Sequence, residues 1–374
     1  LEVTPVRSWR DRREFIELPF RLHANAEQWI PPLRLYARLA LSPRFNAYFK
    51  HGEAQLFLAR RDGQVVGRIS AQIDHSFNAY QRNEWGMFGF LEFEEDSEVL
   101  KALLDSAATW LHARGRDRMV GPMDFTMNDE VGVLIEGFDR EPFVKQPWHP
   151  PYYRRLCEEQ GLDKAIDLWM WELHIEGRDA VVPGIVHMAE RLEPDHGIRI
   201  RKMSRRRLRR ELDLFGETYN EAWKDNWGFS PLTKDDLDDY ATNLQLVFDS
   251  HWLMVAERID TGESVGIACT VPDANQLLKG TNGRLLPFLL RYARRRKIID
   301  RVRVGFLGVK PEYQHTGVAA GLYIEHFDMA ELTNQTWGEM GWILETNDAM
   351  NRGMEGMGGK VVKQYRVYER VLQG

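Results

Sequence analysis

Cysteine is nearly absent: Cys157 and Cys269 are the only two in 374 residues. Two thiols cannot build a disulfide framework, and by themselves they cannot hold a structural zinc. No apolar run approaches the roughly 18 residues of a membrane-spanning helix. Nothing at the start of the chain reads as a signal peptide, so a reducing cytoplasm is the expected compartment. Positive charge is not in excess either. Fifty Lys and Arg against 56 Asp and Glu leave a formal net charge of −6. That excludes a protein whose whole surface binds nucleic acid. No Ser/His/Asp spacing and no metal-ligand spacing can be read, so no metal is expected. What is present is ordinary for a globular chain, at 43% hydrophobic and 28% charged. Twelve Trp stand out and call for large aromatic cores or a large apolar pocket. The length exceeds one usual domain, so two are expected.

The most informative stretch is Gln314-His315-Thr316-Gly317-Val318-Ala319. Before it, Val302 to Val309 (VRVGFLGV) reads as a buried strand, and Pro311-Glu312-Tyr313 turns the chain. After it, Val318 to Leu332 has the composition and apolar spacing of a helix. A strand, a glycine turn and a helix start together make an anion cradle. Backbone N–H groups converge there, and the positive end of the helix dipole faces the bound group. Gly317 lets the backbone approach a phosphate, and Ala319 and Ala320 keep the first helical turn close to it. Trp337 to Glu345 then reads as a strand, Asn347 follows, Met350 to Met357 reads as a helix, and Val361 to Arg370 as a last strand.

This order and the Gln-x-x-Gly-x-Ala pattern resemble the pyrophosphate loop and C-terminal half of the GNAT acyltransferase superfamily. Gln314 stands at the family's Arg/Gln position, Gly317 at the middle Gly and Ala319 at the final Gly/Ala. The resemblance implies an α/β (α+β) fold with a mixed, mostly antiparallel twisted sheet flanked by helices. It also implies acetyl-CoA or a longer acyl-CoA as co-substrate and transfer of the acyl group to an amine. Val309, Gln314, His315, Thr316, Gly317, Val318, Ala319, Ala320 and Asn347 are the residues it places at the cofactor. Two departures are visible. His315 and Thr316 replace the usual Gly and basic residue, so the loop leans on backbone donors. Met354 stands where many members carry a Tyr that protonates the departing thiolate.

The chain also reads as a tandem repeat. Leu56 to Ile73 and Leu253 to Val271 each read as two strands around a turn, with Gly67 matching Gly266. Gly89-Phe90-Leu91 recurs as Gly305-Phe306-Leu307, and Glu158-x-x-Gly161 as Glu355-x-x-Gly358. The second copy carries extra residues near Pro272 to Arg284. The expected division is 1–180 as a degenerate GNAT-like domain and 181–374 as the acyl-CoA-binding catalytic domain. In the first copy, Glu94-Glu95-Asp96 stand where a phosphate would need donors, and like charges repel a pyrophosphate.

Acyl transfer to an amine needs a base and donors for the oxyanion. Glu345 is the candidate base, with Glu312 and His315 as alternatives near the loop. Trp223, Asn226 and Trp227, in YNEAWKDNWGF, are candidates for the acceptor pocket, against a plain aromatic staple. Arg199 to Arg210 (RIRKMSRRRLRR) is expected to be a strand and then a helix capped near Ser204, burying Leu208, Leu212, Phe215 and Tyr219. This run and Arg291 to Lys297 are read either as solvated basic faces or as anion-holding patches. They would suit peripheral contact with an anionic membrane surface. Trp148 to Tyr153 reads as a rigid turn before a helix. The acceptor amine is unidentified, a small molecule or a lipid-like amine; the basic patches and many tryptophans leave room for a sphingoid base. Aminoacyl transfer of the Fem type and a non-catalytic acyl-CoA sensor are the alternatives.

Overall fold

A computed structural model describes residues 1–175, 177–239 and 249–372. Contacts divide it into two compact units that are not two consecutive stretches. Unit 1 is Leu1–Leu168 with Leu278–Tyr292 and Lys363–Gly374; unit 2 is Trp169–Leu277 with Ala293–Val362.

The strands are β1 Glu2–Pro5, β2 Gly52–Arg61, β3 Gln64–Asp74, β4 Trp85–Phe93, β5 Arg118–Gly121, β6 Val133–Glu136 and β7 Asp163–His174. They continue with β8 Ile198–Lys202, β9 Leu253–Arg258, β10 Ser264–Pro272, β11 Arg301–Val309, β12 Trp337–Leu344 and β13 Lys360–Val371. In unit 1 the order is β1-β2-β3-β4-β5-β13, with β6 also on β13. Antiparallel pairing holds throughout except β4 with β5, which run parallel for Trp85–Met87 against Arg118–Val120. In unit 2 the order is β12-β11-β10-β9-β8, flanked on the β12 side by the end of β7. Again one pair is parallel, β11 with β12, over Arg301–Val304 against Trp337–Met340.

The two copies match element by element. The helix Ser97–His112 follows β4 as the helix Val318–Leu332 follows β11. Val99, Leu100, Leu103 and Leu104 of the first are fully buried under β3 and β4. Each such side chain contributes roughly 1.5–3 kcal/mol of hydrophobic burial. The matched glycines have one job. A Cβ at Gly67 would lie 2.8 Å from Leu103 Cδ1, and one at Gly266 would lie 2.6 Å from Val318 Cγ1. Both glycines admit the helix that follows the next strand. Gly161 and Gly358 each stand in the left-handed region after a helix, Tyr152–Glu159 and Asp348–Gly356. The second copy's additional residues hold the short helices Asn275–Leu278 and Leu285–Tyr292.

One expectation is corrected. Ser204 caps no helix with its side chain; residues Arg205–Arg207 form a 3-10 turn, and the α-helix starts at Leu208. The Glu211 carboxylate accepts from the Ser204 N–H at 3.2 Å and from Arg201 at 3.0 Å, which ties that turn down. Leu208, Leu212, Phe215 and Tyr219 are buried as the spacing requires. Much of the preceding cationic run is neutralised: Arg199 and Arg201 both bind Glu257, and Lys202 binds Glu325.

In unit 2, His326 is buried and must be neutral. Its Nδ1–H donates to the Leu322 carbonyl, which can only accept, so its Nε2 accepts from the Thr270 hydroxyl at 2.8 Å. Burial pushes the imidazole down to about 4. The unfolded chain therefore binds this proton below about pH 6.5 while the folded chain does not. His326 thus contributes stability above pH 6.5 that is lost as pH falls toward 4. The stability gap between wild type and His326→Gln in urea unfolding is expected to shrink from neutral pH to pH ~5. A gap that stays constant would show that the imidazole is not held neutral. Among the described residues, no helix is long and apolar enough to cross a membrane.

Candidate active site

The stretch Gln314–Ala320 links β11 to the helix Val318–Leu332. Pro311–Tyr313 make a 3-10 turn, and the Thr316 hydroxyl donates to the Tyr313 carbonyl at 2.6 Å. Gly317 then takes φ +89° and serves as the N-cap. A helix start leaves its first N–H groups, here those of Val318, Ala319 and Ala320, without intrahelical partners. No side chain caps them. A Cβ on Gly317 would stand 3.0 Å from the Met188 carbonyl oxygen, so the loop is roofed by the helix Pro183–His196. Gln314 and His315 are exposed, and Thr316 and Ala319 are half-buried. Val309, Val318 and Ala320 are buried.

The equivalent helix start in the first copy is closed. Asp96 is its N-cap, and its carboxylate accepts from the N–H groups of Glu98 at 2.9 Å and Val99 at 3.3 Å. Glu94 and Glu95 are engaged on the surface with Arg21 and Arg155. One position in the two copies thus holds a satisfied helix terminus in the first and an open one in the second.

The other candidate residues fall as follows. Trp223 ends the helix Leu208–Ala222, stacks on Tyr219 with ring centres 4.9 Å apart, and lies over β11. A Cβ on Gly308 would come within 2.2 Å of its ring, so Trp223 covers the face of β11 opposite Val309. The Asn226 N–H donates to the Trp223 carbonyl at 2.8 Å, and the half-buried Trp227 follows in the same turn. Asn347 caps the helix Asp348–Gly356, its side chain accepting from the Met350 N–H at 3.2 Å. Glu345 lies one residue past β12, half-buried, in the turn before that helix. Glu312 is exposed on the 3-10 turn.

Met354 is 0% exposed and belongs to the core of unit 2. A hydroxyl close to this helix comes from elsewhere. Tyr323, on the helix that follows the loop, places its Oη 3.3 Å from Met350 Sδ, one turn before Met354. Burial raises the Tyr323 phenol to about 12. Sequence reasoning missed this tyrosine because the contact joins two helices. A cavity of about 30 Å³ opens beside it, lined by apolar groups that include Leu173, Val304, Leu307, Met340 and Met357.

No family model matches the chain. Two curated relatives match over their whole lengths. The bacterial ceramide synthase of Caulobacter vibrioides is 36% identical over 380 residues, covering 100% of this chain and 98% of that protein. Protein YghO of Escherichia coli is 32% identical, covering 97% of this chain and 93% of that one. Among solved structures, a tandem GNAT protein from the clavulanic acid biosynthesis pathway superposes with a TM-score of 0.59. It is 12% identical, and the match covers 100% of this chain and 99% of that one. The chain belongs to the family of these two full-length relatives, and its fold is that of the tandem GNAT proteins. A GCN5-related N-acetyltransferase from Sphaerobacter thermophilus shares the fold at a TM-score of 0.54 and 14% identity, over 100% of this chain and 96% of that one. In this chain Gln314–Ala320 form the turn between β11 and its following helix, and Met354 is part of the core of unit 2.

Proposed function

We propose that this tandem GNAT protein is an acyl-CoA-dependent N-acyltransferase. Its second copy, residues 181–374, holds the acyl-CoA, and the first, 1–180, carries no coenzyme. The observation behind this reading is the contrast between the two helix starts. Asp96 satisfies the first, whereas the second offers free N–H groups behind Gly317. In this reading the N–H groups of Val318 to Ala320 take the pyrophosphate, with Gln314, His315 and Thr316 beside it and Val309 along the strand. Asn347 holds the turn that carries Glu345, the proposed base. Trp223, Asn226 and Trp227 border the acceptor. The apolar cavity by Tyr323 suits the start of an acyl chain. The full-length relative named a ceramide synthase supports a long-chain amine of the sphingoid type as acceptor. The absence of a long apolar helix among the described residues fits a cytoplasmic enzyme that meets such a lipid at a membrane surface.

The test is thiol release from acyl-CoAs of graded length with a sphingoid base. Steady turnover with the amine supports the enzyme; stoichiometric binding without release would favour the second reading, a non-catalytic acyl-CoA sensor. The feature behind that second reading is Met354, sealed in the core where relatives carry a proton donor. Reversing Glu94 and Glu95 to Lys is expected to leave coenzyme A affinity within about twofold, because the first copy's helix start is already capped. Two coenzyme A molecules per chain in calorimetry would overturn the assignment of coenzyme A to one copy.

A further inference from the structure

Unit 1 contains a polar chamber that the coenzyme reading does not use. It is a cavity of about 50 Å³ whose walls include Arg68, Glu92, Asp124, Glu130, Trp148 and His149. It opens beyond Met87 and Val120, where the parallel pairing of β4 and β5 ends. Glu92 is held through one oxygen, Oε2, which accepts from the Tyr153 hydroxyl at 2.7 Å and meets the His23 ring nitrogen at 2.8 Å, while Oε1 lies 3.8 Å from Arg68. Burial alone would raise Glu92, but His23 and Arg68 outweigh it and hold the carboxyl at about 2.

Other groups around the chamber are not satisfied by the protein. His149 is 6% exposed; its Nδ1 accepts the Leu134 N–H at 3.2 Å, which leaves the neutral ring's proton on Nε2, an atom with no partner among the described residues. The Arg68 Nε–H is buried with no partner, although its Nη1 donates to the Phe15 carbonyl at 2.7 Å. Asp124 uses one oxygen to accept the Phe90 N–H at 2.7 Å, and the Glu130 carboxyl makes no hydrogen bond to described residues. The charges do not balance. Among the described residues, the strongest charges acting on the four carboxyls Glu92, Asp124, Asp129 and Glu130 include the cations Arg68, Lys145 (bound to Asp129) and His23, fewer than the carboxyls. One carboxyl must hold a proton or wait for an outside cation.

We propose that this chamber is a binding site for a small amino-alcohol head group. The ammonium lies against Asp124 and Glu130, and the neighbouring hydroxyl oxygen accepts from His149 Nε2–H and Arg68 Nε–H. The volume admits a head group of a few heavy atoms. Burial raises both acids, and each is further raised by other carboxylates, which favours a proton shared by the pair when no cation is bound. An entering ammonium replaces that proton, which leaves to solvent.

The probe is 2-amino-1,3-propanediol, titrated by calorimetry into the full chain in two buffers of different ionisation enthalpy. Glycerol, with a hydroxyl in place of the amine, is the control. The amine is expected to bind at least about tenfold more tightly than glycerol and to release close to one proton per ligand near pH 7. Glu130→Gln is expected to remove most of that preference. Equal binding of glycerol, amine binding without proton release, or no binding by the amine up to its solubility would each overturn the proposal. The wild-type proton count decides even if the variant fails to fold. Coenzyme A titrated into the same samples reads the second copy separately, so either assignment can fail alone.

A second surface rests on independent observations. On the helix Leu285–Tyr292, Leu285, Leu286, Leu289 and Leu290 are 44–69% exposed. They recur at i, i+1, i+4 and i+5, so they share one face. Arg284 precedes them, exposed, and Ala293-Arg294-Arg295-Arg296-Lys297 follow, all exposed. Apolar side chains in water beside clustered cations match an anionic bilayer surface in both components. We infer that this helix docks on anionic membranes. Sedimentation with phosphatidylglycerol-rich vesicles is expected to pull down the wild type. Leu286→Ser with Leu290→Ser should weaken that binding by about tenfold or more. Both leucines are exposed, so folding is not at stake. Wild type left in the supernatant, or equal sedimentation of the double variant, would refute it. So would a fall from dimer to monomer in the double variant, which would make the face a self-interface.

Discussion

Gly317→Asp is expected to weaken coenzyme A binding at least about tenfold, roughly 1.4 kcal/mol. The first copy already shows what an aspartate does at this helix start: Asp96 takes up the open N–H groups with its own carboxylate. At residue 317 the same group would occupy the cradle and repel a pyrophosphate. The backbone there has φ +89°, a conformation that Asp tolerates better than most residues, so the variant should fold. Gly317→Ala serves as the control for Cβ crowding against the Met188 carbonyl without added charge. Calorimetry on folded variants is the measurement. Wild-type affinity in Gly317→Asp would remove this loop from the site.

Glu345→Gln should lower kcat by ~10²–10⁴, the range for loss of a general base. Replacing Met354 should not rescue or enhance the rate. A coenzyme A thiol has a pKa near that of free cysteine, roughly 8.5, so it leaves as thiolate with modest help. Met354 is sealed in the core of unit 2. Leucine there should keep most of the activity. Tyrosine would overpack the site, costing about 1–3 kcal/mol of stability, and should bring no gain in rate. Thiol release across about pH 6–9 for the three variants checks this. Near wild-type turnover in Glu345→Gln would take Glu345 out of the mechanism. A faster Met354→Tyr would show that protonation of the leaving group limits the reaction.

The second copy was the more legible half because its chemistry is local. Strand, glycine turn and helix start follow one another within Val302 to Leu332, and glycine is the residue that most readily adopts the positive φ at 317. The stripe Leu208, Leu212, Phe215, Tyr219 was legible for the same reason. The repeat was readable from short matches, since Gly67 and Gly266 each admit a helix that no Cβ could tolerate. Glu94 to Asp96 were read as charge repulsion, whereas the structure uses Asp96 as a cap. The chamber was not legible. His23, Arg68, Glu92, Asp124, Glu130 and His149 are spread along the chain, and only sheet pairing and the loops after β5 bring them to one cavity. His149 read as part of a rigid turn, which describes its backbone and misses the unused nitrogen of its ring.

The assignment of Lys363–Gly374 to unit 1 has a consequence for biosynthesis. Tyr368–Val371 of β13 pair with Arg118–Gly121 of β5, so the sheet that includes β1 is completed only when β13 has been made. Until then β5 presents an unpaired edge, the kind of template on which nascent chains aggregate. A chain ending before Lys363 would keep that edge open, even though every residue from Gln314 to Ala320 had been made. Folding of the first sheet therefore cannot finish before the second copy has been synthesised.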